Sequence, residues 1–68
     1  INLELNFTEN LDYNIVVNDI QGNKIMDLGK YNDNSLNKSI DVSDLASGVY
    51  FIAVHSEKGQ NVMKFTKL

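Results

Sequence analysis

The chain of 68 residues has no cysteine, no proline and no tryptophan, and its six basic residues are all lysines. Without cysteine no disulfide staples the fold, and no thiolate is there to bind a metal or attack a substrate. Without proline there is no cis-proline turn. The formal charge is −3 and the pI about 4.8. A mildly acidic, arginine-free surface lacks the clustered cations that nucleic acid requires, so no nucleic-acid partner is expected. Long apolar runs are missing too. None approaches the roughly 20 residues that carry a helix through a bilayer, so no membrane insertion is expected. The opening "INLELNF" shows neither an initiator Met nor the basic lead-in of a signal peptide, and the chain reads as a piece of something longer. Its length makes it a single domain over residues 1–68, and one of marginal core size.

What is present is alternation. "NLELNF" places Leu3, Leu5 and Phe7 on one side and Asn2, Glu4 and Asn6 on the other, the period of a half-buried strand. "TENLD" reads as a polar turn. "YNIVVNDI" supplies the β-branched run Ile15, Val16 and Val17. "QGN" separates it from "KIMDL" and predicts a hairpin, since glycine accepts positive φ without strain. "GKYNDNS" has loop composition. "LNKSIDV" sets Leu36, Ile40 and Val42 on one face, and "HSEKGQN" marks a second hairpin before "VMKFTKL". No segment sustains a helical period. Six candidate strands at short spacing predict an all-β fold, a small antiparallel sandwich of six to seven short strands.

The most apolar stretch, "VYFIAV", follows directly on "SDLASG". Ser43 or Asp44 is expected to cap a single helical turn, with Leu45 plugging the core and Gly48 reversing the chain in the left-handed conformation. Val49, Phe51 and Ala53 then share one face, and Tyr50, Ile52 and Val54 the other. A strand apolar on both faces predicts a central position with little solvent on either side.

Candidate chemistry is sparse. His55 is the only imidazole, and its nearest conceivable constellation is Asp41, Ser43 and Asp44. "DVSD" is better explained by turn capping, and its spacing fits no Ca²⁺ loop. Gly22 and Gly59 lack the strand–glycine–helix context of a phosphate loop. No catalytic residue, metal site or cofactor is expected, and the chain is read as a non-enzyme. Tyr13 and Tyr31 are the only candidates for an exposed aromatic platform of a carbohydrate-binding Ig-like accessory module. Such a module, or a plain spacer of a surface protein, is the alternative reading.

The order of three motifs is more informative. "IVVNDIQGNKI", "IDVSDLASGVYFIAV" and the terminal "KFTKL" together resemble the type A C-terminal sorting domain of type IX secretion cargo from Bacteroidota. Asp19 and Gly22 match a hydrophobic-rich D–x–x–G element. Leu45, Ser47, Gly48 and Tyr50 match the turn-and-strand L–x–S/A–G–x–Y, which continues apolar through Phe51 and Ile52. Lys64, Phe65 and Lys67, with Leu68 at the end, match the lysine-containing last strand. The family usually opens on a P–N–P segment, which this chain lacks. The expectation is that the chain begins just after it, truncated at its N-terminal edge. The resemblance implies an Ig-like β-sandwich, Asp19, Gly22, Leu45, Ser47, Gly48, Tyr50, Lys64, Phe65, Lys67 and Leu68 as motif or recognition residues, and a sorting signal without chemistry of its own. It implies an N-terminal cargo domain, recognition by shuttle proteins and the outer-membrane translocon, and removal by a sortase-like peptidase. The route it implies runs through the periplasm to the cell surface or medium.

Overall fold

The computed structural model describes all residues from Ile1 to Leu68, and it is all β and antiparallel. Four strands form it: β1 (Asn2–Asp19), β2 (Lys24–Ser39), β3 (Gly48–Ser56) and β4 (Gly59–Lys67). They make one sheet in the order β2-β1-β3-β4.

β1 and β2 are long because each joins two of the predicted strands. "TENLD" is not a turn but part of β1, and "GKYNDNS" is not a loop but part of β2. The six or seven short strands expected are therefore four, two of them bent. Eighteen residues of straight strand would span about 59 Å at ~3.3 Å each. The longest dimension of the molecule is 35 Å. β1 must fold over, and the register shows where: Asn6 pairs with Ser35 and Leu11 with Asp33. Four residues of β1 face one of β2 across that gap, a wide bulge that turns the hairpin. Polar side chains in both segments satisfy loops and bends alike, so composition did not distinguish the two.

The bend lays the outer part of the hairpin over the sheet. Leu3 is 4% exposed although β3 pairs only with Tyr13–Asp19 of β1, so its cover comes from the sheet onto which the outer part of the hairpin is folded. Leu3, Leu11, Tyr13, Ile15, Val17, Ile40, Tyr50, Ile52 and Val54 form one core cluster, flanked by Leu5, Phe7, Met26, Leu36, Leu45, Met63 and Phe65. The result is sandwich-like: one sheet, doubled, with the core between its layers. Ile1 and Ile40 close the free end through Ile1 N to Ile40 O (2.8 Å) and Ile40 N to Ile1 O (2.7 Å).

β3 lies between β1 and β4, as two-faced apolarity predicted, and Tyr50, Ile52 and Val54 point into the core. The other face differs from expectation. Val49 and Phe51 are half-buried there, because the second layer covers only one side of the sheet.

Candidate functional site

The three motif elements lie far apart in sequence and meet at one end of the sheet. Asp19 pairs with Tyr50 across β1–β3, Tyr50 with Phe65 across β3–β4, and Gly48 with Lys67. One row of backbone thus runs from the D–x–x–G turn through the L–x–S–G–x–Y strand to the terminal strand.

Asp19 builds the first element. Its carboxylate Oδ1 accepts from the backbone N–H of Gln21 and of Asn23, both at 2.9 Å, and its carbonyl accepts from Gly22 N (3.0 Å). Asp19 N donates to Asn23 O at 2.9 Å and closes the hairpin. Gly22 takes φ +89°, the left-handed position that such a three-residue connection demands. The hydrogen bond from the Asn23 backbone is the main force holding the Asp19 carboxyl below its ordinary range. The D–x–x–G spacing is the geometry of this turn.

The second element is a turn without helix. Leu45 N donates to Val42 O (3.0 Å), and the cap is Asp41, whose Oδ1 accepts from Ser43 N at 2.9 Å. That bond lowers the Asp41 pKa. Ser43 and Asp44, the expected caps, sit two and three positions too late. Gly48 is not a left-handed helix terminus either. It opens β3 at φ +154°, a conformation that still disfavours a side chain. Leu45 packs against the core as predicted. Ser47 lies at the exposed end of the turn and makes no hydrogen bond of its own side chain. Tyr50 is 7% exposed, and its hydroxyl donates to Ala46 O at 2.6 Å, so the strand holds the turn that precedes it.

The third element fastens both. The Phe65 ring stacks on Tyr50 with centroids 5.5 Å apart. Lys67 Nζ donates to Val42 O and Leu45 O, each at 3.0 Å, and so caps the carbonyls of the 42–45 turn. Lys64 and Leu68 stand outside this arrangement: Lys64 is exposed on the opposite face and Leu68 is 99% exposed. Sequence reasoning missed the carbonyls of Val42, Leu45 and Ala46. A backbone acceptor leaves no residue signature, and only the "D–x–S" of Asp41 was readable.

The other candidates separate. His55 lies at the Ser56 end of β3 and the 41–44 segment precedes its Gly48 end, so the two stand apart, in keeping with the turn-capping reading of "DVSD". His55 instead borders an open depression of about 720 Å³ with Asp12, Lys30, Asn32 and Glu57. No group of three or more His, Cys, Asp or Glu side chains comes together to hold a metal ion. Tyr13 and Tyr31 are not separate exposed rings. They pair across β1–β2 and stack at 5.5 Å, with Tyr13 3% exposed and Tyr31 half-buried. Burial is the main cause that pushes the Tyr13 phenol up.

The family described as secretion system C-terminal sorting domain matches residues 1–67. The chain belongs to that family. Its members are the C-terminal sorting signals of type IX secretion, so this sorting domain carries an export address rather than a platform for sugar. No curated protein and no solved structure matches the chain.

Proposed function

We propose that the domain works as a presented edge: the clamp of Leu45, Gly48, Tyr50, Phe65 and Lys67 fixes the terminal strand, and the type IX machinery reads that strand. β4 is hydrogen-bonded to β3 alone, so its other side offers free backbone donors and acceptors. That unpaired edge, held at its end by Lys67, is the observation that carries the reading. An edge strand suits a signal shared by unrelated cargoes, because main-chain bonds supply affinity whatever the cargo is. Asp19 and Gly22 shape the turn beside the clamp, while Ser47, Lys64 and Leu68 are the exposed motif residues left for recognition. The partners in this reading are the translocon and its shuttle proteins, then a sortase-like peptidase that frees a cargo joined on the N-terminal side. The route passes through the periplasm to the cell surface or medium. The role needs no catalytic group and no cofactor.

The test is a reporter directed to the periplasm of a host with a type IX system, with the domain fused at its C-terminus. Reporter at the surface or in the medium supports the reading. A well-folded fusion that stays in the periplasm overturns it.

A further inference from the structure

We propose that the outer face of β3 and β4 is itself a docking surface, and that its occupant is an extended apolar segment bearing acidic side chains, supplied by the export machinery. This rests on the sorting role above and names the surface and the chemistry of its partner.

The face is built by register. Val16, Ala53 and Val62 form one row across β1, β3 and β4, and Asn18, Phe51 and Lys64 form the next. A strand with one solvated face alternates apolar with polar residues. β3 does not: Val49, Phe51 and Ala53 occupy the face that the folded-back layer leaves open. Ala53 and Val16 are shielded by their neighbours alone, Val49 and Phe51 are half-buried, and Val62 is 53% exposed.

Charge sets the occupant. Residues 59–68 hold two lysines and no acid in a chain of net charge −3. Lys67 is engaged with the carbonyls of Val42 and Leu45. Lys64, beside Phe51 and Val62, has no carboxylate partner, since the two ion pairs of the molecule are Lys24–Asp27 and Lys58–Glu9. An unpaired cation on an apolar stripe selects an apolar partner carrying acidic side chains. A narrow stripe next to a free edge fits a single added strand rather than a globular face of standard size. A second copy of this chain would bring the same acid-free patch and its Lys64 against themselves.

The experiment compares export of the reporter fusion with four substitutions, each checked by melting. Val62→Asp and Lys64→Glu should each lower export about tenfold with the melting temperature kept, as losses at the centre of an interface do. Lys64→Arg should be exported like the parent, and so should Lys30→Glu on the far strand. Normal export of both Val62→Asp and Lys64→Glu while the parent is exported overturns the docking surface alone. A parent that is retained overturns the sorting role and the surface with it. Concentration-dependent dimerisation lost in Val62→Asp assigns the face to self-association and overturns the proposal too.

Discussion

Lys64 and Lys67 stand three residues apart on one strand, and their work differs. Lys67 neutralises two carbonyls of a turn 22 and 25 residues earlier in the chain, whereas Lys64 touches nothing that folding needs. Lys67→Met keeps the stem and removes the donors, so it should cost on the order of 1–3 kcal/mol. Lys64→Ala should stay within about 0.5 kcal/mol. Urea unfolding of both variants decides it, and equal midpoints would show that Lys67 is only a solvated edge. In sequence the two lysines are equivalent, both matching the last-strand motif, because what separates them is a pair of distant backbone oxygens. Gly48 is the opposite case. Its need for positive φ was legible from the turn composition, though the turn it serves is not helical. Gly48→Ala should cost on the order of 1 kcal/mol or more, from strain at φ +154° rather than from a clash, since nothing lies within 4 Å of an added Cβ. An unchanged melting temperature would contradict that.

At the scale of elements, strand identity was legible and strand continuity was not. Each predicted strand falls within an observed one, because period-two alternation is a local property, although β2 stops at Ser39 and leaves the Ile40–Val42 end of "LNKSIDV" outside it. The bend in β1 depends on which residues face one another across the hairpin, and pairing is not written in either strand alone. The folded-back layer has a direct test in Leu3. If it packs over the sheet, Leu3→Ala removes a buried side chain and should cost about 2–5 kcal/mol. A straight, solvated hairpin end would make the same change nearly silent in thermal melting. The turns have their own signature. Asp19, Asp27 and Asp41 each accept backbone N–H bonds, from Asn23, Gly29 and Ser43 respectively, and each carboxyl is held below its ordinary range mainly by that bond. A folded pKa below the unfolded one means stability that is present above the unfolded value and is lost as pH falls through the folded one. The melting temperature should hold through neutral and mildly acidic solution and fall below about pH 4. Asp19→Asn and Asp41→Asn together should flatten that acid limb, and an unchanged limb would remove the turns from the account.

At the scale of the molecule, the clamp makes the terminal strand part of the fold, whatever reads it. Of the candidate site, the order of three motifs pointed to the residues of the clamp and equally to Lys64 and Leu68, which stand outside it, but not to the convergence of Asp19, Tyr50 and Phe65 into one row, which only the strand order β2-β1-β3-β4 creates. That convergence alters what a deletion means. Sequence alone suggests that removing "KFTKL" strips a recognition tag and leaves the core strands standing. The structure places Phe65 on the ring of Tyr50 and Lys67 on the carbonyls of the 42–45 turn, so the cut uncovers a core aromatic and frees a turn at once. A domain this small holds only a few kcal/mol in reserve. A chain ending at residue 63 should therefore melt far below the parent and lose its cooperative transition, measured by circular dichroism. Lost export in that chain would report unfolding as much as recognition. Lys64→Glu separates the proposed recognition from folding, because it keeps the clamp and changes only the exposed cation. If the chain ending at residue 63 instead melts with the parent, the clamp is dispensable, and the terminal strand is a tag laid on a fold that stands without it.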